Sequence, residues 1–177
     1  FDGDDDYVEI SDSDELAGMN QLTIQFWVQL DEYSLDYQQG YLFIDKSEHE
    51  QTDGGLEQSY MFYTHHDVDA LTFYVQTESG AKGADLFGYS QYVNLGQWHL
   101  FTGVYDGQNI QLYIDGSLMG EATLTGTVEQ TDYPLHFANS LNTPNTKNFN
   151  GNMNEVSIWD IALESNQIQS YMTISPT

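Results

Sequence analysis

Apolar and polar residues alternate with a period of two along much of this chain. The alternation is clearest at residues 23–30, 70–75 and 98–105, where β-branched and aromatic residues predominate. A period of two places successive side chains on opposite faces of a strand, whereas a helix needs a period of about 3.6. Asp-Gly pairs at 106–107 and 115–116 follow such runs and favour tight hairpin turns. The pattern therefore predicts short antiparallel strands.

One segment near the C-terminus has the periodicity of a helix. Within residues 165–172, Ile168, Tyr171 and Met172 would share one face, and Ser165 could cap the N-terminus. One short C-terminal helix after about a dozen short strands predicts an all-β fold, a two-sheet antiparallel β-sandwich or jelly roll. The length of 177 residues, without a linker or repeat, predicts a single domain over residues 1–177.

The charge balance restricts the partners of the chain. Lysine and arginine together number 3, aspartate and glutamate number 28, and the formal net charge is −25. Nucleic acids, anionic membranes and sulfated polymers are disfavoured because they need clusters of cations. The absence of cysteine excludes disulfides, thiolate catalysis and cysteine-ligated zinc. No apolar run reaches the roughly 18 residues that a membrane span needs.

Catalytic signatures are missing from the sequence. Neither E-x-D-x-E nor E-x-D-x-x-E, the carboxylate spacing of retaining glycoside hydrolases with a jelly-roll fold, occurs. Glu155 and Asp160 are five residues apart, which places them on opposite faces of an ideal strand. A polysaccharide lyase of this shape would need arginine, and the G-x-S-x-G motif of serine hydrolases is also absent. We therefore expect a protein that is not an enzyme.

Four blocks of sequence resemble laminin-G-like, concanavalin A-like jelly-roll domains. They are FDGDDDYVEI at 1–10, LTIQFWVQL at 22–30, QWHLFTGVYDGQNIQLYIDG at 97–116 and FNGNMNEVSIWDIAL at 149–163, and they occur in the family's order. The resemblance implies two antiparallel sheets packed face to face, with the first and last strands close together. It also implies a mostly non-catalytic role, and a structural calcium ion is common in the family.

The function that this resemblance implies is carbohydrate binding. We expect a calcium-stabilised, lectin-like module of a secreted bacterial polysaccharide-degrading enzyme or surface adhesin, which binds a neutral polysaccharide or glycan outside the cell. Because the chain starts at Phe1 rather than Met, we expect other domains of a larger parent chain. The alternatives are a laminin-G-type protein-interaction domain and, third, a glycoside hydrolase or polysaccharide lyase of the same fold.

An acidic run that begins at Asp2 is the candidate calcium site. Carboxylates this close repel one another, and a hard cation with oxygen ligands would relieve the repulsion. The resemblance implies that the opening turn approaches the closing strand, so the expected ligands are Asp2, Asp6, Asn154 and Glu155. The alternative is a solvated acidic turn without metal.

Aromatic and polar residues outside the four blocks are the candidate ligand-binding residues. A sugar ring has one apolar face that stacks on an aromatic plane, and its hydroxyls need polar partners at the edges. The expected residues are Tyr33, Asp36, Tyr37, Tyr63, His65, His66, Tyr89 and Tyr92. For each tyrosine, capping the end of the sandwich is an equal alternative. Trp27, Trp98 and Trp159 are expected to pack in the core, and His99 and His136 to be structural.

Overall fold

Two antiparallel sheets form the fold, which a computed structural model describes for residues 1–34, 40–47, 57–65, 68–138, 149–173 and 176. The strands and the helix are β1 (Val8–Ile10), β2 (Leu22–Leu30), β3 (Leu42–Ser47), β4 (Gln58–Thr64), β5 (Ala70–Thr77), β6 (Gly80–Phe87), β7 (Trp98–Tyr105), β8 (Asn109–Ile114), β9 (Ser117–Thr123), β10 (Leu135–Phe137), β11 (Gly151–Trp159) and α1 (Ser165–Tyr171). One sheet has the order β1-β10-β3-β4-β5-β6 and the other β11-β2-β7-β8-β9. The predicted all-β sandwich is confirmed.

The hairpin from β8 to β9 shows how the sequence sets a turn. Asp115 and Gly116 both have positive φ, 51° and 72°, as a two-residue type I′ hairpin turn requires. The Asp115 carboxylate also accepts hydrogen bonds from the Leu100 backbone N–H at 2.9 Å and from His99 Nδ1 at 2.7 Å. His99 Nε2 accepts the Asn94 N–H at 2.9 Å, so this buried histidine is structural, as predicted.

A cluster of phenylalanine rings lies between the sheets. The fully buried Phe26 ring lies 5.2 Å from Phe62 and 5.7 Å from Phe101 between centroids, and both contacts are edge-to-face. Gly103 faces this cluster, and a Cβ there would lie 2.4 Å from the Phe73 ring. The glycine therefore leaves room for an aromatic ring from the opposite sheet.

The three tryptophans do not lie between the sheets, which corrects the prediction for them. Phe26 faces the core, so the adjacent Trp27 faces outward with its register partner Leu100. Trp159 pairs with Thr23 on the same outer face, and Trp98 also points to that side. Their strand segments were predicted correctly, but alternation alone does not say which of two apolar faces turns inward.

The helix α1 covers part of that outer face. Its buried Ile168 packs with Val104 and Leu163, and the Trp159 ring packs against this cluster. Glu164, not Ser165, is the N-cap: its side chain accepts the Gln167 N–H, and the Gln167 side chain bonds back to the Glu164 N–H in a capping box. No helix within the described residues has the length and apolarity of a membrane span.

The start of the chain joins the two sheets. Phe1 and Gly151 exchange two backbone hydrogen bonds of 3.0 Å, and Asp2 forms a β-bridge with Asn150 just before β11. A few residues later, β1 pairs with β10 at the edge of the other sheet. The first and last strand segments are therefore close together, as the resemblance implied.

Candidate ligand-binding face

The predicted ligand residues fall into three groups. Tyr33, Tyr89 and Tyr92 lie at the end of the sandwich where β2 ends and β7 begins, and Tyr63 and His65 lie on and just after β4. The remaining three lie outside the described residues: Asp36, Tyr37 and His66.

Tyr89 does not belong to the ligand set. Its side chain is fully buried and meets Tyr33 edge to face at 5.9 Å, so it has no face open to a sugar. Burial raises the pKa of the Tyr89 phenol. The half-buried Tyr33 donates its hydroxyl to the Val93 carbonyl at 2.7 Å and so caps the sandwich end. Only Tyr92 of this group, with 50% of its surface exposed, keeps an open ring.

Tyr63 and His65, both half-buried, are brought together with two residues of the neighbouring strands. The Tyr63 and His65 rings are 5.1 Å apart, and His65 Nε2 lies 3.0 Å from Thr72 Oγ1. The Thr72 hydroxyl donates to Asp85 Oδ1 at 2.6 Å. Because that hydroxyl has one proton and the carboxylate only accepts, His65 Nε2 must donate to Thr72. The result is an ordered hydrogen-bond chain that ends at the exposed Asp85.

Strand register places these groups on the outer face of the six-stranded sheet. Tyr63, Thr72 and Asp85 are direct neighbours across β4, β5 and β6. Phe87, two residues after Asp85 and on the same face, has 69% of its surface exposed. Tyr74 lies two residues after Thr72 in β5 and therefore on the same face of the sheet. We define the face patch as Tyr63, His65, Thr72, Tyr74, Asp85 and Phe87.

The environment of the two tyrosines in the face patch disfavours ionisation of their hydroxyls. Burial, and then the nearby charge of Asp85, raise the pKa of Tyr63; burial alone raises the pKa of Tyr74. A neutral phenol both donates and accepts a hydrogen bond, whereas a phenolate only accepts. The patch thus offers an exposed ring, two half-buried phenols, an imidazole and a carboxylate on one surface.

Four of the six residues in the face patch were not predicted from the sequence: Thr72, Tyr74, Asp85 and Phe87. They lie inside strands, and residue type alone does not distinguish a strand residue on an open face from one in the core. The alternation within β6 held a usable signal, since the buried Leu86 places Asp85 and Phe87 on the opposite face.

The acidic turn brings together two of the four predicted metal ligands, Asp2 and Asp6. Asp2, Asp5 and Asp6 each bring a carboxylate oxygen within 4.8 Å of the others. Glu155 is not a member of this group, although it was predicted to be. It lies with Asn154 in a β-bulge of β11, where Asn154 Oδ1 accepts the Glu155 N–H at 2.8 Å. The third carboxylate is thus Asp5, which was not predicted.

Comparison with known proteins identifies a family whose model matches most of the chain. Residues 2–169 match the family Laminin_G_3, described as the concanavalin A-like lectin/glucanases superfamily. The chain belongs to this family. No curated protein sequence is significantly similar to it.

Several solved structures share the fold of this laminin-G-like chain at low sequence identity. The botulinum neurotoxin serotype D binding domain has a TM-score of 0.71 at 14% identity, over 97% of this chain and 41% of that one. The serotype D ligand-binding domain in complex with N-acetylneuraminic acid has a TM-score of 0.71 at 16% identity, over 95% of this chain and 40% of that one. The binding domain of Paraclostridial Mosquitocidal Protein 1 has a TM-score of 0.70 at 15% identity, over 94% of this chain and 40% of that one. This chain spans about two-fifths of each.

Proposed function

We propose that this chain is a non-catalytic glycan-binding module and that the face patch is its binding surface. One observation carries the proposal: the exposed Phe87 ring stands beside the hydrogen-bond chain of His65, Thr72 and Asp85 on the same sheet face. An aromatic plane flanked by fixed polar groups suits a sugar ring, which is apolar on one face and polar at its edge. Asp85 is the one carboxylate of the patch, whereas glycoside hydrolysis by the usual route needs two.

A neutral glycan is favoured over an acidic one. Recognition of a sugar carboxylate usually relies on arginine or on an exposed cluster of cations. The chain has no arginine, and Lys46 is fully buried in an ion pair with Asp12. The repulsion from a net charge of −25 would further weaken the binding of an anion. We therefore propose a neutral polysaccharide as ligand, although one neighbouring structure holds N-acetylneuraminic acid.

A glycan array followed by calorimetry tests the proposal. A disaccharide has about 23 heavy atoms, and at roughly 0.3 kcal/mol per atom its binding free energy is limited to about 7 kcal/mol. The expected Kd is therefore about 10 µM or weaker. Retention by neutral glycans is expected. Retention by no glycan, together with capture of a defined protein ligand, would favour the protein-interaction alternative.

Removing the exposed aromatic ring should weaken glycan binding without affecting the fold. We expect Phe87→Ala to reduce affinity about tenfold, because the loss of one stacking contact costs about 1.4 kcal/mol. The melting temperature should stay within about 1 °C, since the ring is mostly exposed. Tyr92→Ala removes an exposed ring that is not part of the patch and is the matched control. Equal losses in both variants would contradict the assignment.

We also propose that calcium stabilises the acidic turn of an extracellular protein. The converging oxygens of Asp2, Asp5 and Asp6 fit a hard divalent cation. Extracellular calcium modules have Kd values of about 10⁻⁴ to 10⁻³ M, so 10 mM calcium would contribute about 1.4–2.7 kcal/mol. The melting temperature should therefore be about 3–10 °C higher in calcium than in EDTA.

The variant Asp5→Asn should abolish this calcium effect. Asp4→Asn makes the same charge change in the same turn, outside the group of three, and should retain the effect. Calorimetric melting with and without EDTA measures both. Identical melting temperatures of the unmodified protein in calcium and in EDTA would refute the metal site.

A further inference from the structure

A large cleft opens at the end of the sandwich opposite to Phe87. It has a volume of about 1040 Å³, and its walls are the segment before β2, the turn between β7 and β8, residues 126–127 and the end of β11. Ligand pockets commonly have volumes of about 300–1000 Å³, so this cleft has room for several residues of a chain. None of the predicted ligand residues that the structure describes lines it, and it shares no residue with the face patch.

The cleft has a lining of mixed polarity, and one polar side chain links its walls. Met19, Ile158 and Trp159 contribute to the lining. Gln21 Nε2 donates to the Asp106 carbonyl at 3.2 Å, and Gln21 Oε1 accepts the Ala162 N–H at 3.3 Å. One amide therefore ties the β7–β8 turn to the segment after β11.

The rim of the cleft is acidic. Asp14, Glu15 and Asp160 are exposed and form no hydrogen bond or ion pair with other described residues. The fourth carboxylate, Asp106, is committed to its own turn, where Oδ1 accepts the N–H groups of Gln108 and Asn109 at 2.7 and 2.6 Å. No lysine or histidine is found among the described residues that line the cleft.

We propose that this end cleft binds a peptide segment that carries lysine or arginine, supplied by a partner protein. Carboxylates alone would not define a site on so acidic a chain; a cleft of this volume, with apolar side chains within its mixed lining, does. Long basic side chains have apolar stems that would lie along Met19 and Ile158, while their charged ends reach the carboxylates of the rim. The charge complementarity favours a basic peptide over a neutral sugar, so this site is separate from the proposed glycan face.

The direct test is a titration of the ¹⁵N-labelled protein with a capped hexapeptide that contains two lysines and one tyrosine, followed by NMR. A second peptide, with both lysines replaced by glutamine, measures binding without charge. We expect amide shifts centred on residues 14–21, 106–107 and 158–160 for the lysine peptide, and at least tenfold weaker binding of the glutamine peptide. No binding of the lysine peptide at millimolar concentration, or shifts elsewhere on the surface, would overturn the proposal.

Charge-matched variants separate a site from general attraction to an acidic protein. The cleft variant combines Asp14→Asn, Glu15→Gln and Asp160→Asn. The control variant combines Glu57→Gln, Glu121→Gln and Asp132→Asn, which change three exposed carboxylates outside the cleft. The cleft variant should bind the lysine peptide at least tenfold more weakly, and the control no more than about twofold more weakly. Equal losses in the two variants would contradict the proposal.

A steric variant tests whether the peptide enters the cleft. Asn20 is exposed and lines it, so Asn20→Tyr should reduce the volume without changing the charge. We expect at least fivefold weaker peptide binding, and unaffected binding would contradict occupancy of the cleft. Retention on the glycan array should be unchanged in all these variants. The failure of this proposal and the failure of the glycan proposal are therefore distinguishable.

Discussion

Replacing Phe26 by alanine is expected to lower the free energy of unfolding by about 3–5 kcal/mol, the usual cost of removing a buried phenylalanine ring. Phe26 lies between the sheets and contacts rings from both of them, Phe43 and Phe62 in one and Phe101 in its own. Its removal leaves a cavity bounded by rigid aromatic rings that cannot easily collapse. Urea denaturation followed by far-ultraviolet circular dichroism measures the change.

The matched control for Phe26 is a tryptophan on the outer face. Trp98→Ala removes a larger side chain, but Trp98 is only half-buried and is not part of the aromatic cluster. We expect Trp98→Ala to lower the free energy of unfolding by about 1 kcal/mol. A greater loss from Trp98→Ala than from Phe26→Ala would contradict the placement of the core between the phenylalanine-rich faces.

Replacing Lys46 by methionine is expected to destabilise the protein by about 3 kcal/mol. The fully buried Lys46 Nζ lies 2.5 Å from Asp12 Oδ1 and donates to the Tyr133 and Thr131 carbonyls at 2.6 and 3.4 Å. Methionine keeps most of the apolar stem but leaves a carboxylate and two carbonyls without their donor. Breaking a buried ion pair in this way typically costs about 3–5 kcal/mol, and the partial exposure of Asp12 places the cost at the lower end.

The exposed Lys82 provides the control for this charge change. Lys82→Met removes the same charge from the surface of β6 and should cost less than about 0.5 kcal/mol. In the double variant Lys46→Met with Asp12→Asn, the loss should be smaller than the sum of the single losses, because the two side chains share one interaction. Strictly additive losses would show that the pair does not act as a unit.

Much of the fold could be predicted because its signals are local. The alternation at 98–105 and the turn at Asp115-Gly116 depend only on neighbouring residues, and both agree with the structure. Trp27 is buried, but its predicted placement between the sheets was wrong for a non-local reason. Both faces of β2 are buried, one against the opposite sheet, so alternation could not say which face is inward.

The candidate site was harder to predict because it depends on strand pairing. Tyr63 and His65 were found from their residue types, but their partners Thr72 and Asp85 belong to other strands. Only the register of β4, β5 and β6 brings the four side chains together. Tyr89 shows the converse: its surroundings suggested a loop tyrosine, while its contact with Tyr33 buries it in the sandwich end.

The most direct test of the central claim is a map of the glycan contacts on the folded protein. The ¹⁵N-labelled chain would be titrated with the neutral glycan that the array retains most strongly, and amide shifts would be followed by NMR. The account predicts that the largest shifts lie on β4, β5 and β6 around Thr72, Asp85 and Phe87. Shifts centred on Tyr33 and Tyr92, or on the end cleft, would contradict it.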